Sequence, residues 1–265
     1  MGYSGSSAFS DIKFGSSAVS KVYRGSSLVW TAGGSFTGFS TGFEAADTLF
    51  TGGNVGAIST AQAYDGTQSW LVDNGEIQAG DRSNLTTGLA TDKRFDCYSI
   101  WLYAQDTNLC DGSGSFRAAI VGTTTDYSIS GWVIYTRANN FAVGGENAFH
   151  EFSGTPGTIA QNTWHHYYVQ VDWLSTSPNK STVNPEWSIW VDGTQYVNAQ
   201  SSTNGSHTNG FGAATAGLDA WYLTYGLSGG GFNRYYDKMI VNVSDTAPVA
   251  AGNTTSAAIE AALQF

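Results

Sequence analysis

Basic residues are scarce in this chain: 11 Lys and Arg stand against 21 Asp and Glu among 265 residues, a formal net charge of −10. Nucleic acids are held chiefly by clustered cations on their phosphates, so a few scattered bases and a pI near 4.6 exclude nucleic acid as a partner. No apolar run reaches the roughly 18 residues of a spanning helix, which excludes that mode of membrane insertion. Met1 to Ser10 carry neither the basic start nor the apolar core of a signal peptide. Synthesis in the cytoplasm is therefore expected, with release by lysis or by assembly into a particle. The sequons at Asn84, Asn179, Asn204, Asn242 and Asn253 then follow from abundant Asn, Ser and Thr. Cys97 and Cys110 are the only cysteines, too few for a disulfide framework and without the His cluster of a zinc site. They read as reduced thiols, although a bond between them would close a short loop worth about 3 kcal/mol. Proline is rare at 4 and charged residues make up only 12%.

What the chain has in quantity is glycine, 33 residues, and aromatic side chains, 14%. That mixture suits many short strands joined by turns and leaves little room for long helices. The most informative segment, Asn162 to Asp172, alternates strictly. His165, Tyr167, Val169, Val171 and Trp173 share one face; Trp164, His166, Tyr168, Gln170 and Asp172 share the other. Trp187 to Val191 forms a second strand. Asp192-Gly193 supplies the positive-φ pair of a tight hairpin turn, and Thr194 to Val197 returns. Further strands are predicted at Phe95 to Tyr103, Ser115 to Val121, Gly131 to Arg137, Phe141 to Val143, Trp221 to Leu227 and Tyr235 to Val243. After Pro248, Ile259, Ala262 and Leu263 have the spacing of a short closing helix.

The Trp164-His165-His166 strand followed by Trp187 to Gly193 resembles the signature of laminin-G-like and pentraxin-like domains. Gly42-Phe43-Glu44, Ala63-Tyr64-Asp65-Gly66 and Tyr236 to Val241 fit the opening and closing strands of the same pattern, which runs over about residues 39 to 250. The resemblance implies an all-β fold, an antiparallel double-sheet jelly roll of the concanavalin A-like kind.

Gly-Ser-Ser recurs at Gly5, Gly15 and Gly25, each time leading into apolar residues, a pattern of strand, turn, strand, turn, strand. Ile12 to Trp30 resembles a short module that precedes a variable exposed domain in tailed-bacteriophage virion proteins. About thirty residues of β structure cannot bury a core alone. Residues 1–34 are therefore expected to anchor the chain to other virion proteins or to further copies of itself, through Val19, Val22, Tyr23, Val29 and Trp30. The jelly roll would occupy residues 35–265, displayed at the virion surface.

The residues offer little for catalysis. Glycanases on a jelly roll carry carboxylates on alternate residues of one strand, a pattern absent here. Glu146 and Glu151 could still meet in one loop as an acid/base pair. His165 and His166 point to opposite faces of their strand and cannot share a metal unaided. No Gly-x-Ser-x-Gly elbow occurs in a strand-to-helix setting. Calcium is a candidate at Asp65, Asp73, Asn74 and Asp111, which lie in Gly-rich turns, as the resemblance to laminin-G-like domains implies. Nine tryptophans exceed what a core of this size requires. Trp101, Trp132, Trp164, Trp187 and Trp221 are expected in the core, and Trp70, Trp173 and Trp190 at a surface that stacks host-surface glycan. The expectation is a non-enzymatic virion protein of capsid, head or tail fibre; the alternative is a free carbohydrate-binding or glycan-cleaving protein.

Overall fold

Alternating apolar residues have built strands through most of the described residues. The computed structural model describes residues 13–14, 17–18, 21–24, 27–31, 39–44, 57–72, 81–83, 95–105, 117–123, 131–137, 140–145, 148–153, 159–172, 186–201, 220–226, 233–244 and 248–263. In chain order the strands are β1 (Lys13–Phe14), β2 (Ser17–Ala18), β3 (Lys21–Arg24), β4 (Ser27–Thr31), β5 (Phe39–Thr41), β6 (Ala57–Ser59), β7 (Ser69–Val72), β8 (Asp81–Ser83) and β9 (Phe95–Ala104). They continue with β10 (Arg117–Thr123), β11 (Gly131–Arg137), β12 (Asn140–Gly145), β13 (Ala148–Glu151), β14 (Trp164–Asp172), β15 (Glu186–Val191), β16 (Thr194–Ser201), β17 (Ala220–Gly226) and β18 (Arg234–Ser244). One helix, α1 (Ser256–Leu263), follows.

Two large antiparallel sheets form a jelly roll. An eight-stranded sheet runs β16-β15-β14-β9-β18-β7-β6, with β5 paired beside β18, and a six-stranded sheet runs β13-β12-β11-β10-β17-β8. In the larger sheet Tyr168 lies opposite Ser99 on β9 and Trp190 on β15, which puts Cys97, Ser99, Trp101, His166, Tyr168 and Trp190 on one face. Tyr98, Ile100, Leu102, Tyr167, Val169, Trp187 and Ile189 take the other face and are buried. That second face meets the six-stranded sheet: Phe152 packs on Trp187 and Phe141 on Tyr196, with ring centroids at 6.3 and 6.1 Å. Gln200 adds a polar tie by accepting from the Ser153 N–H and hydroxyl, both at 3.0 Å.

The first face is covered by α1. Thr255 caps the helix, its hydroxyl oxygen accepting from the Ala258 N–H at 3.1 Å. Ile259 and Leu263 then pack with Cys97, Tyr168, Trp190 and Ile240, while Ala262, expected on the same stripe, is exposed. A register shift between Asp237 and Ile240 marks a bulge in β18, and Lys238 within it has a φ of 45°. The extra residue keeps Asp237 and Ile240 on the helix-covered face and swings Lys238 toward α1, where it bonds Glu260.

At the N-terminus, where the repeat predicted three strands, the described residues form four short ones. β1 pairs with β2 and β3 with β4, as two separate two-stranded sheets. Their registers begin at Phe14↔Ser17 and Arg24↔Ser27. Val22 is paired with Trp30, and Tyr23 and Val29 lie on the same two strands; Val19 is outside the described residues.

Candidate functional site

Two carboxylates hold the segment between β6 and β7 against the end of the eight-stranded sheet. Asp237 Oδ2 accepts from the backbone N–H groups of Tyr64 at 2.7 Å and Asp65 at 3.0 Å, and its Oδ1 accepts from the Lys238 N–H at 2.7 Å. Burial, the largest influence, raises the Asp237 pKa above the usual carboxylate value despite these three donors. Glu44 accepts from the Thr67 N–H at 2.7 Å, the Thr67 hydroxyl at 2.8 Å and the Gln68 N–H at 3.2 Å, and these bonds, led by that from the Thr67 N–H, lower its pKa. Between them Gly66 turns at a φ of 70°, where any Cβ would overlap the Glu44 carboxylate.

The tether presents an aromatic ring. Tyr64 lies flat on Trp101, with centroids 3.6 Å apart and planes 13° from parallel, and is 40% exposed although Trp101 beneath it is 9% exposed. Trp101 is fixed from behind by its indole N–H, which donates to Glu260 Oε1 at 2.8 Å. Glu260 Oε2 accepts from Lys238 Nζ at 2.9 Å, and Lys238 also lies 3.7 Å from Asp65 and 5.9 Å from the Tyr64 ring centre. Burial pushes the Lys238 pKa down, but the Glu260 bond and the negative charge of Glu260 and Asp65 outweigh it and leave the ammonium more firmly protonated than usual. The aromatic surface continues through half-buried Trp164, 6.0 Å from Tyr64, to half-buried Tyr103 at 5.5 Å from Trp164, and Tyr103 in turn packs on buried Tyr235 at 5.8 Å. Carboxylate, ammonium and stacked rings thus share one open patch. It can hold a ligand with an apolar face and several hydroxyls.

The two histidines take opposite faces, as their spacing requires. His166 is fully buried beneath Trp101, with its Nε2 2.7 Å from the Ser99 hydroxyl, and burial lowers its pKa to about 4. A serine and a histidine at that distance suggest a nucleophile, yet Ser99 has no exposed surface and cannot meet a substrate. His165 binds Asp192 Oδ2 through Nδ1 at 2.7 Å and the Ala160 carbonyl through Nε2 at 2.9 Å. Asp192 Oδ1 accepts the His166 N–H at 2.8 Å. The pair therefore braces the Asp192-Gly193 turn.

Several expected site residues fall elsewhere. Trp70 is 4% exposed and packs on Phe43; Trp190 is 1% exposed, packs on Tyr168 and donates to the Gly252 carbonyl at 2.8 Å. Neither offers a ring face to solvent, because Phe43 and the C-terminal segment cover them, so both are corrected to core residues. Trp164, expected in the core with Trp101 and Trp187, instead belongs to the exposed patch. Asp65 faces the Lys238 ammonium, which disfavours a cation there, and no cluster of metal-ligating side chains occurs among the described residues. Trp173, Asp73, Asn74, Asp111, Cys110 and Glu146 lie outside the described residues. Tyr64 escaped sequence reasoning. The resemblance set Ala63-Tyr64-Asp65-Gly66 with the opening strands, whereas the structure places it in the turn before β7; the signal for a turn was Asp65-Gly66.

No protein-family model matches the chain, and no curated protein matches it by sequence. Its fold is shared. The cellulose-induced protein Cip1 superposes with a TM-score of 0.51 at 11% identity, over 81% of this chain and 100% of that one. The PL-14 alginate lyase from Aplysia kurodai gives 0.48 at 8% identity, over 71% of this chain and 87% of that one. Domain 4 of AbnA, a GH43 extracellular arabinanase from Geobacillus stearothermophilus in complex with arabinotriose, gives 0.44 at 14% identity, over 86% and 88%. At such identities the likeness is one of fold alone.

Proposed function

We propose that this chain is a non-catalytic carbohydrate-binding jelly roll, carried on the surface of a tailed-phage particle and attached through its N-terminal hairpins. The observation that carries the binding reading is the Tyr64 ring, open to solvent on a buried Trp101 that Glu260 holds still. A ring immobilised before the ligand arrives loses little entropy on binding, and its apolar face suits the C–H face of a sugar. Asp65 and Lys238 stand beside it to take hydroxyl groups.

The carboxylates of this patch support binding in preference to hydrolysis. Asp237 is committed to backbone N–H groups, Glu260 to Trp101 and Lys238, and Asp65 to a neighbouring ammonium, so none is placed as a free acid/base pair. Particle attachment is supported by the two hairpins, which among the described residues pair with themselves and which resemble the virion module in sequence. A glycan array probed with the whole chain tests the first part. Tyr64→Ala is expected to weaken the strongest response at least about tenfold with an unchanged circular dichroism spectrum. Turnover of the bound glycan, lost in Glu146→Gln or Glu151→Gln, would overturn the non-catalytic part. Absence of the chain from purified particles would overturn the attachment.

A further inference from the structure

The rings of the patch do not form a flat floor. Tyr64 and Trp164 are inclined at 62°, and Trp164 and Tyr103 at 56°. Tyr64 and Trp101 are nearly parallel, but they lie on each other, so that stack offers a single open face. An extended glycan held along its length presents a ribbon of successive sugar faces, and rings that grip such a ribbon must share nearly one plane. Rings at these angles make a corner.

From this geometry we infer that the corner takes one uncharged sugar residue, a chain end or branch tip, and not the interior of an extended chain; this rests on the carbohydrate-binding reading above. One face of a pyranose lies on Tyr64 while its edge meets Trp164. Beside the ring, an Asp65 oxygen and Lys238 Nζ lie 3.7 Å apart, an acceptor and a donor side by side. Lys238 gives one N–H to Glu260 and keeps others for a ligand. Such a pair suits two neighbouring hydroxyls, one donating to Asp65 and one accepting from Lys238. Terminal residues present such a pair, as do interior residues linked through O4 or O6, so the preference for a chain end rests on the inclination of the rings. Charge points the same way. Asp65, Asp237 and Glu260 outnumber Lys238 around the ring, on a molecule of net charge −10, so uronate and sulfated sugars are repelled.

The test is an array of neutral and acidic oligosaccharides with varied termini, followed by calorimetry on the best responder, its shorter homologues and the methyl glycoside of its terminal residue. The expected result is a methyl glycoside that binds within about tenfold of the full oligosaccharide, with affinity flat as interior residues are added. Enzymatic removal of the terminal residue should abolish binding, and Asp65→Ala should weaken it about fivefold or more with no change in melting temperature. Affinity that depends on Tyr64 but climbs with each added interior residue, or that survives loss of the terminal residue, overturns the corner while leaving carbohydrate binding intact. A preference for uronate or sulfated termini overturns the neutral class. No response to any glycan overturns the carbohydrate-binding reading itself, and this inference with it.

Discussion

His165 has acceptors at both ring nitrogens, the Asp192 carboxylate at 2.7 Å and the Ala160 carbonyl at 2.9 Å, so only the imidazolium can donate to both. The Asp192 bond is the main reason its pKa is raised, against the opposing effect of burial. A group whose folded pKa lies above its unfolded value stabilises fully below the unfolded value, about 6.5 for imidazole, and loses that contribution as pH rises through the folded value. Asp192 runs the other way. Burial pushes its pKa up, but the bonds from His165 and the His166 N–H outweigh it, and the contribution is lost as acid protonates the lowered carboxyl. His165 is therefore expected to contribute a decline in melting temperature as pH rises above about 6.5, read as the difference between the pH profiles of the wild type and His165→Gln. Gly193 in the same turn has a φ of 81°, and a Cβ there would overlap the Thr254 carbonyl oxygen. Gly193→Val should destabilise by about 3 kcal/mol or more in thermal unfolding, through backbone strain together with displacement of the C-terminal segment.

At the scale of elements, α1 does two jobs. Ile259 and Leu263 close the outer face over Tyr168 and Trp190, and Glu260 holds both Trp101 and Lys238. Ile259→Ala and Leu263→Ala should each cost about 2 to 5 kcal/mol, measured by denaturant unfolding. Removing residues 248–263 should uncover Trp190 and Trp101, read as red-shifted tryptophan emission and binding of an apolar dye. The helix was legible in the spacing of Ile259 and Leu263, and the hairpin in Asp192-Gly193, because both are local patterns. The bulge at Lys238 was not. Tyr235 to Val243 reads as one unbroken strand, and only pairing with β9 reveals that Asp237 and Ile240 skip a register.

For the whole molecule, strand pairing among the described residues forms two small hairpins and two large sheets. A chain beginning at Ser35 is expected to fold cooperatively, with the β-rich circular dichroism of the full chain, yet to be absent from particles. Trp30→Ala should reduce incorporation while leaving the sandwich's melting unchanged. If loss of residues 1–34 unfolds the sandwich, those hairpins belong to its core and the attachment reading falls.

The longer strands, the tight turn and the closing helix were determined by the sequence alone, because alternation, a positive-φ pair and helical spacing act over a few residues, whereas short β6, β8 and β13 carry too little alternation to be read. Alternation also assigned His165 and His166 to opposite faces. It could not say which face would be covered, or by what. Trp70 and Trp190 look as exposed in sequence as Tyr64 does, yet Phe43 and the segment before α1 bury the tryptophans. Tyr64 stays open because Asp237, 173 residues away, holds its backbone, and Trp101 stays rigid because Glu260, 159 residues away, holds its indole. The patch is made of contacts between distant segments, and such contacts exist only once the sheet has folded and the helix has docked upon it.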